Sequence, residues 1–130
     1  MAMFKFIINR KHKKARKLHK IVSDEKLYEI TRGEWNINAK IRETCEYALA
    51  VADCSVKEVY KIETDKWEKV KNAKVYNSKT GKCEITKKIR WRFSGRIADE
   101  ALRQKCVGKR HANKRGHITS VVPIDIKELQ

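Results

Sequence analysis

Alternation of apolar and polar positions dominates this chain, and it marks short strands. "FKFII" at 4–8 predicts the first. The segment after it, "RKHKKARKLHK" at 10–20, offers only Ala15, Leu18 and then Val22 as a thin apolar stripe at helical spacing. It reads as a solvated helix or as a basic arm that orders on a partner. From residue 27 the pattern changes to strands and short helices. "LYEI" leads into an Arg32-Gly33 turn, and Asn36 or Asn38 is placed to cap a short helix through "AKIRETC". An asparagine side-chain oxygen accepts from the amides that the first helical turn leaves unpaired.

In "EYALAVAD", Tyr47, Leu49 and Val51 occupy one face and Ala48, Ala50 and Ala52 the other. Apolar residues on both faces predict a central strand covered on both sides. A turn at 53–55 leads into a second strand, "VKEVYKI", with Trp67 just beyond it. "AKVYNSKTGKCEIT" predicts a peripheral hairpin that turns at Lys79-Thr80-Gly81. "IRWRF" puts Ile89, Trp91 and Phe93 on one face and Arg90 and Arg92 on the other, so one face packs while the other is charged. "IADEALRQKC" gathers apolar residues at 97, 98, 101, 102 and 106 on one helical side, and Pro123 makes "ITSVVPIDI" an edge strand or a bulge. About five to six strands with two or three short helices, and no regular βα alternation, predict an α+β fold with a curved or closed sheet. The expected organisation is a basic N-terminal arm over 1–26 and one domain over 27–130, since 130 residues suffice for one core.

Charge narrows the partner. Lys and Arg number 32 against 16 acidic residues, a formal net charge of +16. An anionic partner relieves self-repulsion on that scale. Two acid-free runs, 10–20 and 103–117, hold seven and six of these basic residues. Nucleic acid, DNA or RNA, is therefore the leading partner, in a cytoplasmic setting. A membrane partner is not expected, because no run approaches the roughly 20 apolar residues of a spanning helix. The start of the chain also lacks the basic-then-apolar order of a secretion signal. Cys45, Cys54, Cys83 and Cys106 form no C-x-x-C pair, and His12, His19, His111 and His117 have no cysteine pair to complete a site. No metal or cofactor is expected, and most of the cysteines read as small buried apolar residues.

The order "TRGEW", short helix, "EYALAVADCSVKEVYKIETDKW" and then "RWRFSGRIADEAL" resembles small PUA-like β-barrel domains, the broad group that contains the EVE, ASCH and YTH domains. The resemblance covers about residues 27–124. It implies a five- or six-stranded barrel with helices at its edges that binds RNA or DNA, and a pocket with aromatic walls that takes a base, modified bases included.

Candidate phosphate contacts are Lys13, Lys14, Arg16 and Lys17 in the first basic run, Arg32 beside the glycine turn, and Arg90 and Arg92 on the charged face of "IRWRF". Lys109, Arg110, Lys114 and Arg115 join them, in a loop between Gly108 and Gly116. Trp35 and Trp67 stand in polar surroundings, as platforms for base stacking or as plugs at the ends of the sheet, whereas Trp91 reads as core. Two other classes stand beside nucleic-acid binding. Asp53, Glu58 and Lys61 resemble the acids and lysine of a metal-dependent nuclease, although Glu58 and Lys61, three apart on a strand, point to opposite faces. A small basic protein of phage or mobile-element type would instead have a protein partner, tethering or blocking a nucleic-acid enzyme.

Overall fold

The structure is a computed structural model that describes residues 2–18, 21–63, 65–77, 79–85, 88–111 and 121–130, without the side chains of Val75 and Tyr76. The elements run β1 (Met3–Ile7), α1 (Asn9–Leu18), α2 (Asp24–Arg32), α3 (Ala39–Thr44), β2 (Tyr47–Ala52), β3 (Ser55–Ile62) and β4 (Glu68–Val70). They continue through β5 (Lys74–Asn77), β6 (Lys82–Ile85), β7 (Arg90–Arg92), β8 (Gly95–Ile97), α4 (Glu100–Cys106) and β9 (Val121–Ile124), with a 3₁₀ turn at Ile126–Glu128. The fold is α+β, as the pattern predicts.

A five-stranded sheet in the order β8-β3-β2-β1-β9 forms the centre, and two-stranded ribbons β4-β7 and β5-β6 lie outside it. β1 and β2 are parallel, with Phe6 opposite Ala50; the other neighbours in the sheet are antiparallel. Apolar side chains on both faces of β2 place that strand inside, and both faces are covered. On one face Phe6, Ile8, Ala48, Ala50, Tyr60 and Ile62 pack with Ala15 of α1, Leu27 and Ile30 of α2, and Phe93. On the other, Met3, Leu49, Val51, Val59 and Ile124 pack with Ala98 and with Leu102 and Cys106 of α4. The central strand, the 53–55 turn, the peripheral hairpin, the asparagine cap and the edge position of the Pro123 strand all stand where the pattern puts them.

The N-terminal arm does not. β1 lies between β2 and β9, and Phe6, Ile7 and Ile8 are fully buried, so the folded unit begins at the third residue rather than at 27. Seven apolar or aromatic positions in the first eight residues outweigh the charges that follow them. α1 is docked as well: His12 and Ala15, one helical step of three apart, turn inward, and the basic residues between them face solvent. "LYEI" is the second half of α2 rather than a lead-in to a turn. Ser23 caps that helix by accepting from the Lys26 amide at 3.1 Å, Asp24 and Glu25 sit in the first turn where the helix dipole favours them, and Leu27, Ile30 and Thr31 form the buried stripe.

Lys5 is 1 % exposed on the Met3 face of β1. An ammonium taken out of water needs a partner. Lys5 Nζ donates to His111 Nδ1 at 2.7 Å, and His111 Nε2 reaches Glu128 Oε2 at 3.1 Å, which ties the C-terminal turn to the central strand. Of the cysteines, Cys45 and Cys106 are buried, and burial pushes the Cys45 thiol up to about 12. Cys54 is half-buried and Cys83 is exposed on the peripheral hairpin, so the burial expected of most cysteines holds for these two only.

Candidate functional site

The C-terminal end of α2 organises the chemistry-bearing residues. A helix leaves its last carbonyls unpaired. Here Trp35 Nε1 donates to the Thr31 carbonyl at 2.8 Å, and the Phe93 amide donates to the Arg32 carbonyl at 3.3 Å. Arg32 returns its Nε to the Phe93 carbonyl at 3.0 Å, with Ser94 Oγ at 3.4 Å from a second guanidinium nitrogen. The helix end is thus sewn to β7 and the residues just after it. Trp35 and Trp91 exchange both backbone hydrogen bonds, each at 2.8 Å, while Lys69 of β4 pairs with Trp91 on the other side.

The three tryptophans all serve this joint. Trp35 meets Phe6 edge-on at 5.2 Å, and Trp67 meets Phe93 edge-on at 5.8 Å while its Nε1 donates to the Arg42 carbonyl at 3.1 Å. Trp91, expected in the core, is half-buried and packs against its edge; of the alternating three, Ile89 is 47 % exposed and Phe93 alone is fully enclosed. The guanidinium of Arg42 covers its ring at 3.7 Å, held there by a hydrogen bond of 2.6 Å from Arg42 Nη1 to the Ile37 carbonyl.

Beside this joint lies a groove of about 320 Å³ lined by Lys11 of α1, Glu29 and Arg32 of α2, Gly33, Glu34, Lys74 and Arg92. Gly33 is buried at φ +21°, and a Cβ there would stand 2.8 Å from the Ile30 carbonyl oxygen and 3.4 Å from Lys11 Nζ. A side chain at 33 would collide with the helix end, so glycine is what the turn after α2 requires. Burial lowers the Lys11 pKa from its ordinary value; Glu34 works against that shift and the like charges of Arg92 and Lys26 add to it. Arg32 is engaged by the backbone and by Glu29 at 3.7 Å. Arg90 and Arg92 are half-buried, and the Nε of each has no hydrogen-bond partner among the described residues.

Of the sequence-predicted residues, Arg32 and Arg92 meet at this groove, Trp35 stands at the joint beside it, and Arg90 lies on the same strand as Arg92. Lys13, Lys14 and Lys17 are exposed on α1, while Arg16 is bound to Asp53 at 3.2 Å. Lys109 and Arg110 are exposed alongside the start of β3, where their backbones pair with Val56 and Ser55. Lys114 and Arg115 lie outside the described residues, as do His19 and His117. Lys11 and Lys74 are groove residues that the sequence did not single out, although the glycine after a helix end was the available signal.

The acids suggestive of a nuclease are committed elsewhere. Both carboxylate oxygens of Glu58 accept from Arg103, at 2.8 and 3.0 Å, and Asp53 holds Arg16. Among the described residues no three His, Cys, Asp or Glu side chains gather in a way that would hold a metal ion. No helix among them is long and apolar enough to cross a membrane. Compared with protein-family models, with curated proteins and with solved structures, the chain matches none of them.

Proposed function

We propose that this chain is a nucleic-acid-binding protein that holds the phosphate backbone of its partner on the basic surface around α1 and β7. The observation that carries this reading is the group of cations at the groove: Lys11, Lys74 and Arg92 line it, and the buried Nε of Arg92 finds no partner among the described residues. Cations held together against their mutual repulsion are stabilised by an anion, and a net charge of +16 favours a polyanion over an isolated ion. Lys13, Lys14 and Lys17 extend the charge along α1. The PUA-like resemblance of residues 27–124 implies the same partner class.

The test is a binding titration of the full chain against labelled single- and double-stranded DNA and RNA at increasing salt. Direct phosphate contact is expected to give a linear fall of log K with log salt, with a slope near 0.9 per contact on duplex DNA. Weak affinity at every salt concentration would overturn the reading and leave a protein partner as the better account of the charge.

A further inference from the structure

Building on the reading above, we infer that the Lys11–Arg92 groove is a seat for a single backbone phosphate and that the chain binds nucleic acid without reading base sequence. Direct readout needs side chains that protrude into a groove of the duplex, whose major groove is about 12 Å wide, or free aromatic faces for unstacked bases. This surface offers the opposite geometry. Its cations line a groove together with the buried Gly33, Arg92 half-buried and Lys11 and Lys74 exposed, so the partner that enters the groove is the phosphate. Trp91 carries the Arg42 guanidinium against its ring at 3.7 Å, which takes up one of the two faces on which a base could stack. The other two tryptophan rings are half-buried and packed within the chain, Trp35 edge-on with Phe6 at 5.2 Å and Trp67 edge-on with Phe93 at 5.8 Å.

Two acids, Glu29 and Glu34, line the groove with the cations, and Glu29 is engaged by Arg32 at 3.7 Å. Negative charge beside the hollow disfavours a diffuse coating of polyanion and confines the anion to the gap between Lys11, Lys74 and Arg92. The chemistry recognised is a phosphate monoester or diester oxygen presented by a flexible or helical backbone, with no demand on the base it carries.

The experiment uses the full chain and three probes: mixed-sequence oligonucleotides, equal-length permutations of them, and inorganic polyphosphate as a competitor with no bases. Polyphosphate is expected to displace the oligonucleotide, and permutation is expected to leave affinity within about threefold, well short of the discrimination that base contacts supply. Arg92→Gln and Lys74→Gln are each expected to lower affinity for every oligonucleotide alike and to reduce the salt slope by about one contact. Lys74 is exposed, so its variant keeps the test valid if Arg92→Gln melts early. A permutation effect above about tenfold, or failure of polyphosphate to compete, would overturn base-independent reading while leaving nucleic-acid binding in place. Unchanged affinity in both variants would remove the phosphate from this groove. Absence of any nucleic-acid binding at low salt would overturn this inference together with the function it rests on.

Discussion

Asp53 and Cys54 close the β2–β3 hairpin with φ of +52° and +59°, a left-handed pair that favours asparagine or glycine. Asp53 is held in place by Arg16 and by Asn9 Oδ1, which accepts from its amide at 2.9 Å. Cys54 is the weaker choice at its position. Cys54→Gly is expected to raise stability by about 0.5–1 kcal/mol, the relief of left-handed strain less the added chain entropy, read as a higher denaturant midpoint at unchanged slope. His12 gives a pH signature. Burial on the inner side of α1, then the charges of Arg16 and Lys57, lower its pKa against the opposing pull of Asp53. The unfolded chain therefore takes up this proton first as pH falls below about 6.5, and the penalty grows until the lowered folded value is reached. Melting temperature is expected to drop between pH 7.5 and 5.5, and His12→Asn is expected to flatten that drop. At this scale Trp35 was the hardest residue to read. Its polar neighbours suggested an exposed ring, but its partner is a carbonyl four residues earlier, visible only once residues 24–32 are known to be helical.

Helix α2 shows what a local pattern can and cannot carry between elements. Ser23 with Lys26, two acids in the first turn and the spacing of Leu27, Ile30 and Thr31 were all present in the sequence, yet "LYEI" alone is too short to separate a helical period from a strand. Strands buried on both faces were easier, since six consecutive small and apolar residues in β2 admit few other environments. The position of β1 was not legible, because nothing local says that "FKFII" pairs in parallel with a strand some forty residues later. That placement makes a strong prediction. Phe6 is fully buried and meets both Trp35 and Phe93, at 5.2 and 5.4 Å, so Phe6→Ala is expected to cost about 3–5 kcal/mol, a large share of a stability in the range of 5–15 kcal/mol. Removing residues 1–8 would leave β9 without its neighbour and open the sheet. A truncated chain that still unfolded cooperatively would contradict the central role given to β1.

Among the described residues, exposed cations stand along α1 beside the groove and alongside the β2–β3 turn at Lys109 and Arg110, and further ones such as Lys61, Lys69 and Lys71 are spread over the surface. Carboxylates engage Arg16, Arg32, Lys66 and Arg103, but 16 acids cannot compensate 32 cations. Two effects of salt follow, and they have opposite signs. In the free protein, added salt screens repulsion among cations that lie farther apart than the Debye length, about 10 Å at 0.1 M, so melting temperature is expected to rise with ionic strength. With saturating mixed-sequence DNA, the bound state is stabilised in proportion to RT ln(1 + [L]/Kd), and that gain shrinks as salt weakens each phosphate contact. The melting temperature of the complex is therefore expected to start above that of the free chain, to fall with salt, and to meet the rising free-chain curve. Scanning calorimetry from 20 to 500 mM salt, values on the order of those that separate strong from weak electrostatic binding, measures both curves on one sample series. Coincident curves at the lowest salt would mean that DNA does not bind the folded state, and a free-chain curve that falls with salt would mean that short-range ion pairs, rather than the unbalanced charge, govern the stability of this fold.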